Sequence, residues 1–156
     1  MQGDEQVVEV LNSVLSAELT AINQYFLDAK MLDNWGYDRL GERFLAESIG
    51  EMKDADKLIE RVLYLEGHPN VQRLGTIRTG ETPIEQLRLA LALEVEAIKR
   101  LNEGIDRCVA SDDHGTRSVF EEILEGEEAH ADWLETQLSL VDQIGDTNYL
   151  AQQLHD

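Results

Sequence analysis

Residues 50–58 read GEMKDADKL and residues 126–134 read GEEAHADWL, and this pair of segments decides the fold. The two segments share Gly, Glu, Ala, Asp and Leu at a separation of 76 residues, so that Glu51 corresponds to Glu127. Both segments lie in long stretches with helical character. The chain therefore reads as two copies of one helical hairpin.

A segment rich in turn signals divides the two halves. It is HPNVQRLGTIRTGETP (68–83), which contains the only two prolines, Pro69 and Pro83, together with Gly75 and Gly80. Outside it, apolar residues recur with the period of about 3.6 that is typical of helices. The pattern predicts four long helices and a short fifth one, over residues 5–34, 38–66, 83–110, 116–144 and 146–153. We expect residues 1–156 to form a single all-α domain, a ferritin-like four-helix bundle with a long crossover between helices two and three.

The charge of the chain is lopsided, with 32 acidic residues against 13 lysines and arginines and a net charge of −19. This balance argues against nucleic acid or an anionic membrane as partner and is compatible with cations as ligands, although solubility alone also explains it. Cys108 is the only cysteine, which excludes an internal disulfide and a thiolate zinc cage. No apolar run approaches the ~20 residues of a membrane span, and the N-terminal residues lack a secretory pattern, so we expect a cytoplasmic protein.

Each long helix carries an ionisable side chain in the middle of its apolar stripe. Glu18 and Glu94 lie on helices one and three, and Glu51, Glu127 and His130 lie on helices two and four. A buried charge is costly unless it is paired or binds a metal. Any one of these glutamates alone would more often lie at the rim of a core, and His130 alone would be an ordinary helix histidine. Their recurrence in register on four helices favours a metal site.

The spacing also indicates the kind of metal site. One Glu from each of two helices plus a Glu-x-x-His pair from each of the other two is the ligand set of di-iron carboxylate bundles, because residues three apart share one helix face. Oxygen-rich ligation with imidazole suits iron or manganese and also accepts zinc or cobalt. The candidate metal ligands are Glu18, Glu51, Asp54, Glu94, Glu127 and His130.

The whole chain resembles the bacterioferritins, the haem-containing branch of the ferritin family. The resemblance rests on LNSVLSAELTAINQYFLDAKMLDNWG (11–36), ESIGEMKDADKLIERVLYLEGHPN (47–70), EEAHADWLETQLSLVDQIG (127–145) and, less closely, NYLAQQ (148–153). It implies a cage of twenty-four subunits that oxidises Fe(II) at an intrasubunit di-iron centre, with oxygen or peroxide as oxidant, and stores iron as a ferric mineral. It also implies iron release with electrons from a small ferredoxin.

The resemblance further implies a role for each candidate residue. Glu51 and Glu127 would bridge the two metals, and Glu94 and His130 would complete the second one. Tyr25 matches a tyrosine that can supply electrons to the centre. We therefore expect Tyr25, the four glutamates and His130 to be catalytic.

The first metal would take Glu18 and, in the family pattern, a His at the position that Asp54 occupies here. A centre of two Fe(II) ions, five carboxylates and one neutral histidine has a net charge of about −1. This negative charge favours Fe(III) over Fe(II). Without metal, at least one of the five carboxyl groups should hold a proton. Three interpretations of Asp54 follow. It is a direct ligand of an asymmetric centre, or it swings away and leaves oxidation slow, or the chain is a specialised haem-bearing subunit and a second bacterioferritin chain supplies most of the oxidation.

Met52 matches the axial ligand of haem b, which the family binds between two subunits. Leu45, Ile49 and Ile59 share its helix face and form a second apolar stripe, as expected where another subunit docks. Considered without the resemblance, Met52 would be an ordinary interface methionine.

Three alternative functions remain. The chain could be a haem-bearing subunit with an impaired ferroxidase centre that works in a mixed shell with a second bacterioferritin chain. It could be a four-helix di-iron or di-manganese oxidase that stores nothing. It could also be a non-enzymatic shell protein whose metal site is vestigial.

Overall fold

Four long helices and one short helix make up the fold of the computed structural model, which describes residues 1–155. The helices are α1 Glu5–Trp35, α2 Asp38–Tyr64, α3 Pro83–Ala110, α4 His114–Ile144 and α5 Asp146–Ala151. α1 packs on α2 and α3 packs on α4, and the two hairpins meet mainly through α1 and α3. The predicted four-helix bundle with a long α2–α3 crossover and a short fifth helix is confirmed.

The predicted C-terminal ends of two helices were slightly too late. α2 ends at Tyr64 and not at residue 66, because Glu66 takes a left-handed backbone with φ of 60°. The Gly67 N–H then donates to the Val62 carbonyl at 2.9 Å, which closes the helix end. α5 ends at Ala151, two residues before the predicted position.

The starts of α3 and α4 are set by capping side chains. α3 begins at Pro83 as predicted, after Thr82, whose hydroxyl accepts a backbone hydrogen bond at 3.2 Å. α4 begins at His114, two residues earlier than predicted, because the Asp113 carboxylate accepts from the Thr116 N–H at 2.9 Å. The start of α4 is therefore set by the N-cap Asp113 and not by the first residue of the apolar pattern.

The apolar core consists of two separate clusters. The first contains Leu11, Leu15, Leu58, Leu101, Phe120 and Ile123 among its buried members. The second contains Tyr25, Phe44, Leu87, Leu134 and Tyr149. Along every long helix the change from one cluster to the other occurs at a buried glutamate; in α1, Glu18 lies between Leu15 of the first cluster and Ala21 of the second. The polar candidates thus form a layer across the middle of the bundle.

The crossover, residues 65–82, has no regular structure and is held by one polar face of α1. Four side chains at successive intervals of four residues on α1 bond to the crossover. The contacts are Asn12 Nδ2 to the His68 carbonyl (3.0 Å), Ser16 Oγ to the Arg73 carbonyl (2.8 Å), the Gly75 N–H to Thr20 Oγ1 (2.8 Å) and the Arg78 N–H to Gln24 Oε1 (3.1 Å). Because an interval of four returns to nearly the same helix face, one face of α1 can satisfy an extended chain.

The short α5 is anchored by one aromatic side chain. Tyr149 is buried in the second core cluster, and its hydroxyl donates to Gln137 Oε1 on α4 at 2.8 Å. Arg39 on α2 bonds to the carbonyls that follow α5, through its backbone N–H to Gln153 and its guanidinium to Gln152. None of the described helices combines the length and apolar character needed to cross a membrane.

Candidate metal centre

The five predicted mid-stripe residues are all buried at the middle of the bundle. Their exposed fractions lie between 1% and 4%, which few carboxylates reach without a partner or a cation. They come from all four long helices, Glu18 from α1, Glu51 from α2, Glu94 from α3, and Glu127 and His130 from α4. The helical hairpin repeat therefore brings its polar positions to one place.

These side chains form two overlapping ligand groups. One group comprises Glu51, Glu94, Glu127 and His130, and the other comprises Glu18, Glu51, Asp54 and Glu127. In each group one potential ligand atom per residue lies within 4.8 Å of the others. Glu51 and Glu127 belong to both groups, so two cations held by these groups would share two carboxylates.

Asp54 lies in the second group and is half-buried, whereas the other members are buried. Its pKa is raised to about 6, mainly by burial, with Lys57 opposing the shift and Glu122 adding to it. Lys57 Nζ bonds to Glu122 Oε1 at 2.6 Å, so this ion pair flanks the Asp54 side of the cluster. The aspartate thus reaches the cluster despite its short side chain, at the edge nearer to solvent.

Without a cation, the cluster holds protons. Burial strongly raises the pKa of Glu51 and that of Glu127. The Glu94 carboxylate raises both pKa values further, and a hydrogen bond from Glu127 offsets part of the rise for Glu51. Burial would also raise the pKa of Glu94, but hydrogen bonds from Glu127, His130 and Tyr25 outweigh it and lower that pKa. One oxygen each of Glu18 and Glu94 is buried without a hydrogen-bond partner. A divalent cation bound here would displace the protons of these glutamates and would bind the unpartnered oxygens.

Tyr25 touches the cluster directly. Its hydroxyl donates to Glu94 Oε1, and its ring packs edge-on against His130 with centroids 5.3 Å apart. Burial and the Glu94 carboxylate raise the pKa of Tyr25 well above its usual value, so the phenol keeps its proton. The structure therefore places this predicted residue beside the ligands.

Three residues around His130 were missed by the sequence analysis. Glu47 Oε2 lies 3.5 Å from His130 Nδ1, and Arg43 bonds to Glu47 at 2.9 Å. The Trp133 ring stacks on His130. The Arg43 guanidinium lies over the same Trp133 ring, 4.2 Å from the ring centroid. The available signal was the spacing of Arg43 and Glu47, which are four apart on the helix that carries Glu51.

Met52 is the one predicted site residue that the structure does not bring to the cluster. Its side chain is 56% exposed on α2, although it is adjacent in sequence to the buried Glu51. Ile49 is 46% exposed one turn away on the same helix face. Met52 therefore belongs to an outer apolar face of the described chain and not to the carboxylate layer.

Comparison with known proteins agrees with the fold. A family model described as ferritin-like domain matches residues 8–144, and this defines the chain as a ferritin-like protein. The chain is 47% identical over 152 residues to the bacterioferritin of Mycobacterium leprae, covering 97% of this chain and 96% of the relative. It is 49% identical over 152 residues to that of Mycolicibacterium paratuberculosis, with the same coverage, and 48% identical over 151 residues to that of Streptomyces coelicolor, covering 90% of the relative. The chain belongs to the bacterioferritin family.

Proposed function

We propose that this protein stores iron and oxidises Fe(II) at the buried carboxylate cluster. The observation that carries the proposal is the pair of ligand groups that share Glu51 and Glu127, within 4.8 Å, in the middle of the bundle. Such a centre holds two ions close enough to act together, and its donors are the oxygens and imidazole that suit iron. The family relationship supports storage as the purpose of that oxidation.

In the proposed reaction, iron is the substrate. Two Fe(II) ions enter and displace the protons that Glu51 and Glu127 otherwise hold, because the cations favour the ionised carboxylates. Each ion then loses one electron to the oxidant, so that the pair reduces dioxygen to hydrogen peroxide or hydrogen peroxide to water. When only one Fe(II) is bound, Tyr25 would supply the second electron and become a tyrosyl radical, and its phenolic proton would pass to Glu94, which accepts its hydrogen bond.

The exposed face that carries Met52 and Ile49 supports a haem site on this chain. A thioether beside exposed apolar side chains offers an axial ligand and a dry wall for a planar group, and a second subunit would cover the other side. We propose that Met52 holds haem between two subunits of a twenty-four-subunit cage. When bound, the haem would carry electrons from a small ferredoxin to the stored ferric iron.

The test is aerobic Fe(II) oxidation by the purified homopolymer. We expect Glu127→Ala to lower the initial rate by at least about tenfold, because it removes a ligand shared by both groups. The matched control is Glu128→Ala, an exposed neighbour on the same helix, which should keep the native rate. A native rate no higher than that of Glu127→Ala would contradict the ferroxidase assignment.

The second candidate, a haem-bearing subunit with an impaired centre in a mixed shell, follows from Asp54 itself. Asp54 is the one half-buried member of its ligand group and stands where the internal repeat calls for His. Under this candidate the homopolymer binds haem but oxidises Fe(II) slowly, and co-assembly with a second bacterioferritin chain restores the rate. The same assay with and without such a partner separates the two candidates.

A further inference from the structure

A cavity of about 240 Å³ lies between α1, the crossover and α3. It shares no residue with the carboxylate cluster. Three arginines line it, Arg73 and Arg78 from the crossover and Arg100 from α3, and among residues 1–155 Glu96 is the only acidic residue in the lining. A lining with a net charge of +2 is therefore built into a chain whose net charge is −19. The charge of this lining therefore has the opposite sign to the net charge of the protein as a whole.

The arginines of this cavity are distinguished by their lack of partners. The chain contains nine arginines, and within residues 1–155 five of them donate side-chain hydrogen bonds to protein acceptors. The other four are Arg73, Arg78, Arg88 and Arg100, and all of these except Arg88 line the cavity. In a chain with 32 acidic residues, one cavity is lined by three guanidinium groups that bond to no carboxylate of the described residues, and this indicates an anionic ligand from outside the subunit.

A buried amide also points to a ligand. Gln24 lines the cavity with 1% of its surface exposed, and its Nε2 has no hydrogen-bond partner. Its orientation is fixed, because Oε1 accepts from the Arg78 N–H at 3.1 Å and only the amide oxygen can accept. The two Nε2 hydrogens are therefore free to donate, and a buried donor without an acceptor is destabilising.

The backbone that carries Arg73 and Arg78 is held in place by hydrogen bonds before any ligand binds. The Arg73 carbonyl accepts from Ser16 Oγ at 2.8 Å, and the Arg78 N–H is held by Gln24. Both arginines thus start from backbone that is tied to α1, so binding needs to order only their side chains. Donors from three elements around one cavity suit a ligand with several acceptor oxygens on different sides, which a tetrahedral oxyanion offers and a single planar carboxylate does not.

We propose that this cavity binds a phosphate group, either as inorganic phosphate or as part of a small phosphomonoester. Arg73, Arg78 and Arg100 would neutralise its charge, and Gln24 Nε2 would donate to one of its oxygens. The proposal does not depend on the proposed ferroxidase function, because no residue is shared between the two sites.

The experiment is isothermal titration of the assembled, metal-free protein with inorganic phosphate and, separately, with glycerol 3-phosphate. We expect saturable binding of about one ligand per subunit, and the tighter of the two ligands identifies the source of the phosphate group. Arg78→Ala and Arg100→Ala should each weaken binding by roughly tenfold, since each removes a charge-assisted hydrogen bond. Arg88→Ala is the matched control, because Arg88 is exposed and also lacks a partner but lies outside the cavity, and it should bind as the native protein does.

A second variant tests the amide. Gln24→Glu keeps an acceptor for the Arg78 N–H but replaces the free donor by a negative charge, so phosphate binding should be lost. If that variant does not assemble to the native particle mass, Arg100→Ala decides, because the Arg100 side chain makes no hydrogen bond that folding requires within the described residues. Absence of saturable binding to the native protein, including absence because a carboxylate of a second copy occupies the cavity, would overturn the proposal. Binding that Arg78→Ala and Arg100→Ala leave unchanged would also overturn it.

Discussion

At the scale of single residues, Asp54 is the candidate ligand position at which the two halves of the repeat differ. The first hairpin has Asp at the position where the second has His130, yet the structure still places Asp54 within the group of Glu18, Glu51 and Glu127. A carboxylate there adds a negative charge to the proposed centre, and negative charge favours Fe(III) over Fe(II). Asp54 in place of His is therefore expected to slow the release of Fe(III) from the proposed centre.

We predict that Asp54→His raises the steady-state rate of Fe(II) oxidation by roughly twofold to tenfold, because it returns the diferrous centre to neutrality. Stopped-flow absorbance of ferric products measures this rate. Asp56→His, an exposed position on the same helix, is the control for adding a histidine to this surface. A fall of Asp54→His to the rate of Glu127→Ala would instead show that the Asp54 carboxylate itself is required.

Asp28 is a second buried carboxyl group and lies outside the ligand groups. It is fully buried, neither of its oxygens has a partner, and burial raises its pKa to about 7. The folded chain thus keeps this proton up to about pH 7, whereas the unfolded chain releases it near pH 4. Since the folded state binds more protons in that window, this group lowers stability as the pH rises from about 4 to 7.

We predict that Asp28→Asn removes part of this pH dependence and raises the free energy of unfolding of the metal-free protein above pH 7, by up to roughly 4 kcal/mol. Urea unfolding followed by circular dichroism between pH 4 and pH 8 measures the effect. Asp142→Asn, at an exposed position, should leave the profile unchanged. Identical pH profiles for Asp28→Asn and the native protein would contradict the conclusion that the raised pKa of Asp28 contributes to the pH dependence of stability.

At the scale of elements, the crossover depends on α1 more than on its own sequence. Proline and glycine signals predicted that residues 68–82 would not be helical, but they did not predict the ladder of side chains on α1 that holds the crossover. Polar residues at positions 12, 16, 20 and 24 were visible as a pattern of i, i+4 spacing. Such a pattern normally indicates a solvated helix face, and only the structure shows that backbone groups of the crossover cover it.

We predict that Thr20→Val loosens the crossover, because it leaves the Gly75 N–H without its acceptor while keeping the side-chain shape. The loss should be about 1–3 kcal/mol of local stability. Amide hydrogen exchange and limited proteolysis within residues 70–80 measure it. Thr147→Val, at an exposed position on α5, is the control, and equal protection in both variants would count against the ladder.

At the scale of the whole molecule, the outer apolar face on α2 and the buried carboxylate layer are two distinct regions of the subunit. Met52 and Ile49 are exposed in the single chain, whereas the carboxylate layer is complete within it. The subunit therefore holds the residues of the proposed oxidation site by itself, while the proposed haem site requires a second copy. Other exposed apolar side chains such as Phe26 and Leu63 also call for a covering surface.

We predict that protein purified with an adequate haem supply shows the absorbance spectrum of a bis-methionine haem, and that Met52→Leu loses it. Scattering should give a particle many times the subunit mass of 17.6 kDa for both, since Leu keeps the apolar contact. Met31→Leu, which changes a methionine on α1, should retain the spectrum. A particle near the subunit mass would exclude storage, and a haem spectrum that survives in Met52→Leu would exclude this ligand.

The amino-acid sequence alone predicted the helical hairpin repeat, the four-helix bundle and the candidate ligands. It could do so because helix periodicity maps spacing onto one face, and because buried charges stand out against an apolar stripe. Only the tertiary structure decided that Asp54 reaches the cluster, that Glu47 adjoins His130, and that three arginines surround one cavity. These facts depend on side chains from different elements meeting in space, and the local period of a helix does not specify such meetings.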